Sequence, residues 1–510
     1  MNKLKNQKIV EIILVLIVII VGGVGIYYYL NSGSDSFSSN GGKGASNVNL
    51  NESDYDYDFS SYEEVKVNLD SVKDVYEITS EGVYHFTGKL EGYIKVNTDK
   101  NVKIILDSVT INNDDGPCIY VENAKNTYIE LVGESSLTSG SEYSSDFTDI
   151  DGCIYSSDDL IFMGDGTLNV SSKYLDGIVS TDDLVFKSGI YNITSNDDGI
   201  RGKDSVIIFD GKFTIKASGD GIKSTNSEDS SKGYVKIVNG TFNITANNDG
   251  IQAETILDIE DGEFNITTGN GAVLSGGKTG DAGMMWGGNN TTMSSDTESS
   301  KGIKAGSSIL INGGKFTLDN SDDSIHSNGV ITLNGGTYSI KSSDDGIHSD
   351  GKIEIIDGTF DISASEGIEA TYVKIDGGTI TISASDDGIN AGNKSSDYTT
   401  TVEINGGTIT IKMGSGDTDG IDSNGNIYIN GGTIDITCNS PFDYDGEAKK
   451  TGGKLIVNGE ETNTITNQMM GGGTMPGGDG EMPQQGGTTP PDGNQSQNGN
   501  NRGNRGGNRR

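Results

Sequence analysis

The sequence predicts an all-β fold, a parallel β-helix with about 22 residues per coil. Two elements recur at this spacing, a short Asp-Gly-Ile element and a strand–turn–strand element. After residue 30, no stretch keeps the 3.6-residue hydrophobic period of an amphipathic helix. A chain that repeats short strands at a fixed period can bury one continuous core by stacking its coils, which is typical of a solenoid.

The Asp-Gly-Ile element defines the period. Most successive copies lie 21 or 22 residues apart, and the longer steps indicate loops added to single coils. The longest step, of 52 residues, contains a degenerate copy at 269–275 and a Gly- and Met-rich loop insertion at 276–300. The glycines of the element are Gly177, Gly199, Gly221, Gly250, Gly302, Gly346, Gly367, Gly388 and Gly420, with Ser324 in the same place.

The strand–turn–strand element has the same spacing. Examples are "VKIVNGTFNI" (235–244), "VITLNGGTYSI" (330–340) and "NIYINGGTIDI" (426–436). Alternating apolar residues place one face of each strand inside, and Gly and Asn supply the positive φ that the turn needs. With the short strand after Asp-Gly, each coil has three strands, and the sequence predicts about 14 to 17 coils.

Stacked coils should align equivalent side chains into ladders about 4.8 Å apart. The first predicted ladder fills the core with isoleucines, namely Ile178, Ile200, Ile222, Ile251, Ile303, Ile325, Ile347, Ile368, Ile389 and Ile421. The second is aromatic and follows the turn, and it consists of Phe213, Phe242, Phe264, Phe316, Tyr338 and Phe360. We interpret these aromatic residues as core residues and not as a sugar platform.

The two ends of the chain differ from the repeats. Residues 9–30 carry one charge and are long enough to span a bilayer, and the lysines in residues 1–8 predict a cytoplasmic N-terminus. The remainder is then expected on the extracellular face of the membrane, or secreted if the segment is a cleaved signal. Residues 31–61 are expected to form a flexible spacer, 62–462 the β-helix, and 463–510 a disordered tail whose basic end could contact the cell wall.

Charge and cysteine content restrict the function. Acidic residues outnumber basic ones by 74 to 36, so the formal charge is −38 and nucleic acid is excluded as a partner. Three cysteines do not make a disulfide framework. Cys118, Cys153 and Cys438 are expected to be small buried side chains, with a bridge between the first two left open.

The repeated aspartates would form a column of carboxylates, which repel one another by about 1 kcal/mol per pair even in water. One interpretation is structural, because an Asp before Gly can accept backbone N–H groups. Another is Ca²⁺, because paired carboxylates and carbonyl oxygens are its ligands. The candidate Ca²⁺ ligands are Asp197, Asp198, Asp322, Asp323, Asp344, Asp345, Asp386 and Asp387, followed by Asp220, Asp249 and Asp419.

A catalytic interpretation is weaker, because so many copies cannot all be an active site. Residues that interrupt the repeat are Arg201, the one arginine outside the C-terminal tail, and the pair His326 and His348. Arg201 beside Asp197 and Asp198 is the sharpest candidate for a lyase base. The two histidines lie 22 residues apart and resemble a surface ladder more than a general base, so no catalytic residue is assigned.

The stretch "VYEITSEGVYHFTGKLEGYIKVNTDKNVKIILDSVTI" (75–111), the DDGI copies and the NGGT turns resemble clostridial surface proteins called carbohydrate-binding domain-containing proteins. The resemblance implies a right-handed, single-stranded β-helix related in shape to pectate lyases, without demonstrated catalysis. It also implies Ca²⁺ at Asp-rich turns, here the aspartates named above, and binding of acidic polysaccharide such as polygalacturonate, with cellulose as a second ligand.

We therefore predict Ca²⁺-dependent binding of an anionic, pectin-like polysaccharide at the cell surface. Ca²⁺ bridging carboxylate to carboxylate would overcome the repulsion between an acidic protein and an acidic glycan. Cellulose ranks lower, because only Trp286, in the 276–300 loop, stands out as an aromatic platform. The alternatives are a polysaccharide lyase on the same fold and an adhesin or stalk without glycan specificity; the sugar-contacting residues are not identified.

Overall fold

The predicted β-helix is confirmed. The computed structural model describes residues 45–274, 299–414 and 418–467, which wind into a right-handed β-solenoid of about 17 turns with about 22 residues per turn. Within these ranges there is no α-helix, and the 3-10 helices are Glu52–Tyr55, Leu69–Ser71 and Ser145–Phe147.

Forty-five strands form the coils. The first fifteen are β1 (Glu64–Asn68), β2 (Val75–Ile78), β3 (Gly82–Thr87), β4 (Lys89–Glu91), β5 (Tyr93–Asn97), β6 (Asn101–Asp107), β7 (Thr110–Asn113), β8 (Ile119–Asn123), β9 (Asn126–Val132), β10 (Glu134–Ser139), β11 (Gly152–Ser156), β12 (Asp159–Gly164), β13 (Thr167–Ser171), β14 (Asp176–Ser180) and β15 (Asp183–Phe186). The next fifteen are β16 (Ile190–Ser195), β17 (Ile200–Gly202), β18 (Ser205–Ile208), β19 (Lys212–Ala217), β20 (Ile222–Ser224), β21 (Tyr234–Ile237), β22 (Thr241–Ala246), β23 (Ile251–Ala253), β24 (Ile256–Ile259), β25 (Glu263–Thr268), β26 (Ile303–Ala305), β27 (Ser308–Ile311), β28 (Lys315–Asn320), β29 (Ile325–Ser327) and β30 (Val330–Leu333). The last fifteen are β31 (Thr337–Ser342), β32 (Asp345–Ile355), β33 (Thr359–Ala364), β34 (Glu366–Ile375), β35 (Thr379–Ala384), β36 (Ile389–Ala391), β37 (Thr401–Ile404), β38 (Thr408–Met413), β39 (Asp419–Ser423), β40 (Asn426–Ile429), β41 (Thr433–Thr437), β42 (Ser440–Tyr444), β43 (Ala448–Lys450), β44 (Lys454–Val457) and β45 (Glu460–Thr462).

Each coil contributes a strand to each of three parallel faces. The face that begins after Asp-Gly contains β14, β17 and β20, the next contains β15, β18 and β21, and the third contains β16, β19 and β22. Strands β32 and β34 run through a corner and belong to the first two faces. Pairing is parallel throughout except for the final hairpin of β44 and β45.

The ladders predicted from the sequence form the core. Every isoleucine of the first ladder is fully buried, and equivalent residues pair directly across coils, such as Ile200 with Ile222. The aromatic rings stack with centroids 4.5–5.1 Å apart, and Tyr191 extends this ladder by one coil. Cys118 and Cys153 are buried and Cys438 is half-buried. All three are free thiols, so Cys118 and Cys153 do not form a disulfide bond.

Turn glycines take the positive φ predicted for them. Gly336 and Gly358 have φ of 104° and 128°, a region that residues with a Cβ avoid. The turn asparagines act differently, because the amide of Asn334 donates to Oδ1 of Asn312 at 2.7 Å and links two coils. The sequence predicted a positive φ for Asn in the turn, but in the structure its side chain makes a hydrogen bond between coils.

The glycine after each aspartate is required for close packing and not for positive φ. A Cβ on Gly250 would lie 2.3 Å from Ile266 Cγ2 and 2.5 Å from the carbonyl oxygen of Gly302. We expect Gly250→Ala to lower the free energy of unfolding by about 1–3 kcal/mol, measured by denaturant unfolding. Gly414→Ala is the matched control, because its Cβ would meet nothing closer than 3.7 Å. Equal stability of the two variants would contradict this account.

The N-terminal arm, residues 45–59, differs from the flexible spacer predicted over 31–61. It lies along the outside of the second face, the one that contains β15, β18 and β21: Val48 is buried and its N–H donates to Asp258 Oδ2 at 2.7 Å. Near its other end, the ring of Phe59 is 5.4 Å from that of Tyr128. The outward residues beneath the arm are apolar and in register, namely Tyr128, Ile161, Val185 and Ile207. Covering these side chains removes apolar surface from water, which explains why the arm is ordered.

Several sequence predictions fall outside the described residues. These are the membrane anchor at 9–30, nearly all of the 276–300 loop with Trp286, and the tail from 468 onward. Among the described residues, no helix is long and apolar enough to cross a membrane.

Candidate functional site

The residues that precede the repeat glycines and Ser324 lie one above another at one corner of the solenoid, and all of them except Lys301 are acidic. We call the acidic residues of this set the carboxylate column. Asp345 pairs directly with Glu366 across neighbouring coils, as the repeat predicted. Most members are almost completely buried, with Asp198, Asp220 and Asp323 each exposed by 5% or less. The column consists of Asp176, Asp198, Asp220, Asp249, Asp323, Asp345, Glu366, Asp387 and Asp419.

The column is held first by hydrogen bonds between coils. Oδ1 of Asp198 accepts the backbone N–H of Asp220 at 2.8 Å, and Oδ1 of Asp220 accepts that of Asp249 at 2.8 Å. The same bond joins Asp176 to Asp198, Asp323 to Asp345, and Asp387 to Asp419. The carboxylates thus satisfy backbone donors where the corner interrupts the strand ladder, which agrees with the structural interpretation of the repeat.

A second column lies beside the first. The residue after each repeat isoleucine, from Ile200 onward, faces the same side, and these residues pair in register from coil to coil. We call this set the flanking column. It reads, in coil order, Arg201, Lys223, Gln252, Lys304, His326, His348, Glu369, Asn390 and Asp422.

The N-terminal part of the flanking column neutralises the acids. Lys223 Nζ lies 2.6 Å from Asp220 Oδ2 and 3.4 Å from Asp198 Oδ2. Lys304 Nζ lies 3.0 Å from Asp249 Oδ2. Buried carboxylates are tolerated when such partners compensate their charge. Over these coils the cost of stacking acids is therefore met by the protein's own cations.

The central part uses histidine. Nδ1 of His326 lies 2.9 Å from Asp323 Oδ2, and Nδ1 of His348 lies 2.8 Å from Asp345 Oδ2 and 3.5 Å from Asp323 Oδ2. Burial lowers the pKa of His348, but its bonds to Asp323 and Asp345 outweigh burial and raise it to about 10. The two histidines form a ladder as expected, but their side chains are 12% and 14% exposed and pair with the column, so the ladder is half-buried.

The C-terminal part of the flanking column contains no cationic residue, and we call this part of the solenoid the acidic end. The flanking residues are Glu369, Asn390 and Asp422, and the neighbouring cation is Lys394, 3.0 Å from Glu369. Burial and the charges of Glu366 and Asp422 raise the pKa of Asp387 to about 8.

Asp422 and Asn390 show the same imbalance. Burial and the charges of Asp419 and Asp443 raise the pKa of Asp422 to about 7. The amide of Asn390 donates to Glu366 and Glu369 at 3.0 and 3.2 Å. Its Oδ1 is buried and has no hydrogen-bond partner among the described residues. The acidic end therefore has more negative charge and oxygen ligands than the protein itself satisfies.

The predicted Ca²⁺ ligands divide into two sets. Ligand atoms within 4.8 Å of one another join Asp197 and Asp198 to Asp176, join Asp322 and Asp323 to Asp344, and join Asp345 to His348 and Glu369. In 45–274, 299–414 and 418–467, such groups of three do not include Asp220, Asp249, Asp386, Asp387 or Asp419. The first aspartate of each predicted pair is half-buried beside the column. One of them, Asp322, already has a cationic partner, because Lys301 Nζ lies 2.6 Å from its Oδ2.

Arg201 is not placed as a base. Its Nε lies 2.7 Å from Asp176 Oδ2, and its guanidinium also bonds Asp151. Burial opposes its charge, but Asp176 and Asp151 raise the pKa of Arg201 above its usual value. A guanidinium held this firmly in its charged form does not accept a proton.

Sequence reasoning missed the flanking column. The signal was present, because the residue after each repeat isoleucine changes from Arg, Lys and His to Glu, Asn and Asp along the chain. Comparing each aspartate with the residue three positions after it would have shown in which coils a cation neutralises the carboxylate.

Fold and site together define a parallel β-helix protein with a buried carboxylate column that is neutralised over only part of its length. The chain belongs to the family of carbohydrate-binding domain-containing proteins, whose family model matches residues 73–346 and 344–470, more than half of the chain. The resemblance seen in the repeats is thereby confirmed.

Two known proteins illustrate the relationship. A carbohydrate-binding domain-containing protein from Acetivibrio thermocellus is 32% identical over 148 residues, which cover 26% of this chain and 51% of that protein. The chain thus spans about half the length of this curated relative. A gadolinium derivative of a polysaccharide lyase-like protein from C. thermocellum is 30% identical, covers 40% of this chain and 91% of its own, and has a TM-score of 0.39.

Proposed function

We infer that this protein binds an acidic polysaccharide without cleaving it, and that Ca²⁺ held at the acidic end makes this binding possible. Membership of a carbohydrate-binding family supports polysaccharide as the partner. The observation that carries the Ca²⁺ part is the change in the flanking column from Lys223 and Lys304 to Glu369 and Asp422. A site with more carboxylates than cations attracts a divalent ion.

The residues of the acidic end fit Ca²⁺ chemically. Ca²⁺ takes six to eight oxygen ligands from carboxylates, carbonyl oxygens and water. Glu366, Asp387 and Asp422 supply carboxylates, and Oδ1 of Asn390 is a buried carbonyl oxygen without a partner among the described residues. The earlier coils offer carboxylates too, but their oxygens already bond to lysine or arginine. Of the eleven predicted ligands, we therefore favour Asp387, with Asp386 and Asp419 beside it, because of its uncompensated charge, although none of the three belongs to a group of three ligand atoms within 4.8 Å of one another among the described residues.

The bound ion would supply positive charge that can be shared with a ligand. A protein with a formal charge of −38 repels a polyuronate, and this repulsion extends about 8–10 Å at physiological salt. Ca²⁺ held by these residues at the corner of the solenoid would supply the positive charge to which a glycan carboxylate could bind. The predicted anchor at 9–30 would present this surface outside the cell.

The test is a pull-down of the purified full-length chain with insoluble polygalacturonate. We expect binding in Ca²⁺ that EGTA abolishes, while the β-rich circular dichroism spectrum persists. Combining Asp387→Asn with Asp422→Asn should weaken binding at least about tenfold, because it removes two ligand charges. The control combines Asp361→Asn with Asp435→Asn, which removes the same charge from the outside of the third face.

Three results would overturn the proposal: no binding in Ca²⁺, equal binding in EGTA, or equal losses in the two double variants. Absorbance of unsaturated uronate products, followed in the same samples, should stay flat. A steady rise that depends on the protein would replace binding by lyase activity.

A further inference from the structure

We propose a second metal site, distinct from the acidic end, at which Asp323, His326 and His348 bind a borderline divalent cation of the Zn²⁺ class. The proposal goes beyond the proposed function, because it concerns different residues, a different metal chemistry and no glycan.

The two histidines converge on one carboxylate. His326 and His348 occupy the same position in neighbouring coils, and their ring centroids are 4.8 Å apart. Both direct Nδ1 at Oδ2 of Asp323, at 2.9 and 3.5 Å. One ligand atom from each of the three residues lies within 4.8 Å of the others. In a tetrahedral Zn²⁺ site neighbouring ligand atoms are about 3.4 Å apart, so small rotations of the side chains are sufficient.

The outer nitrogen of His326 favours the tautomer that a metal needs. Nε2 of His326 lies 3.0 Å from Asn328 Oδ1, whereas Nε2 of His348 is buried without a hydrogen-bond partner among the described residues. Histidines that bind metals usually donate their other N–H to a carboxylate or carbonyl oxygen, which fixes the ring and directs the free lone pair at the ion. Both Nδ1 atoms face carboxylate oxygens, and a metal bound beside Asp323 would replace the protons that they share with those oxygens.

An independent observation is the state of Asp345. It is 3% exposed, and its Oδ1 has no hydrogen-bond partner among the described residues although its Oδ2 lies 2.8 Å from His348 Nδ1. With Glu369, Asp345 and His348 form a second group whose ligand atoms also lie within 4.8 Å of one another. A buried carboxylate oxygen without a donor, on a residue that already contacts His348, is available to a cation bound at this histidine.

The ligand type selects the metal. Imidazole nitrogen suits Zn²⁺, Cu²⁺ and Ni²⁺, whereas Ca²⁺ prefers oxygen alone. Lys301 now contacts Asp323 Oδ2 at 3.2 Å, but it also contacts Asp322 at 2.6 Å and can stay with that partner when a metal arrives. Along the solenoid, the carboxylate column would thus be neutralised first by lysine residues and then by a bound metal, before it reaches the acidic end.

The test uses the full-length chain, freed of metal with EDTA and titrated with Zn²⁺ by calorimetry and with Co²⁺ by visible absorption. We expect one tight equivalent and the absorption bands of tetrahedral Co²⁺. His326→Gln and His348→Gln should each weaken Zn²⁺ binding at least about tenfold.

His85→Gln is the matched control, because His85 is the third histidine of the chain and contacts Glu64 and Asp107 instead. A large excess of Ca²⁺ should not displace Zn²⁺, and the Asp387→Asn, Asp422→Asn double variant should bind Zn²⁺ like the wild type, which separates this site from the acidic end. Absence of Zn²⁺ binding, or equal affinity in the wild type and the His326→Gln, His348→Gln double variant with an unchanged circular dichroism spectrum, would overturn the proposal.

Discussion

Phe264→Ala is expected to lower the free energy of unfolding by about 3–5 kcal/mol. Phe264 is 1% exposed and stacks between Phe242 and Phe316, with centroids 4.7 and 4.6 Å away. Alanine would leave a cavity that its neighbours cannot fill, because each is fixed by the next ring of the ladder. Denaturant unfolding followed by circular dichroism measures the loss.

Phe59→Ala is a useful comparison for this variant. Phe59 packs on Tyr128 from the N-terminal arm, outside the solenoid core. We expect Phe59→Ala to lower the free energy of unfolding clearly less than Phe264→Ala does, because the arm can readjust. A loss below about 1 kcal/mol for Phe264→Ala would show that the aromatic ladder does not support the core.

Asp220→Ala is expected to cost about 3–5 kcal/mol, because it removes one partner of a buried ion pair. Asp220 accepts the N–H of Asp249 at 2.8 Å and lies 2.6 Å from Lys223 Nζ. The variant leaves the buried N–H of Asp249 without its acceptor and removes the nearer of the two carboxylates beside Lys223. Burial raises the pKa of Asp220 to about 6, so unfolding should be measured well above that pH.

The cause can be separated by a double variant. Combining Asp220→Ala with Lys223→Met removes the surplus charge and should recover part of the stability, whereas Asp220→Asn keeps an acceptor for the N–H of Asp249. If Lys223→Met makes Asp220→Ala worse, the ion pair is not what stabilises this coil. If Asp220→Ala costs less than about 1 kcal/mol, the carboxylate column is not a structural element.

The repeats were predictable because a solenoid uses the same contact in every coil. The isoleucine and aromatic ladders follow from spacing and alternation alone, since equivalent residues in coils of equal length must stack. The sequence also allowed the prediction that the aspartates accept backbone N–H groups, but it did not show which N–H group each aspartate accepts. An Asp such as Asp198 accepts an N–H from the next coil, at Asp220, and this depends on the exact rotation of the corner.

The N-terminal arm was not predictable by the same argument, because its partners lie far away in sequence. Val48 bonds Asp258, 210 residues further on. The composition of 31–58 is polar enough to suggest a spacer, and only two patterns argued otherwise. These are the apolar residues Val48, Leu50 and Phe59, and the outward-facing apolar positions beneath them.

The N-terminal arm also limits how this gene can change its length. A duplication of one 22-residue repeat normally costs a solenoid little, because the new coil pairs with its neighbours as the old one did. Between β9 and β30, however, an extra coil would separate the partners of the arm by about 4.8 Å and take Val48 out of register with Asp258. Among the described residues, the arm's hydrogen bonds reach no further than Thr332. Gain and loss of repeats during descent should therefore be concentrated in the coils that follow β32, which include the acidic end.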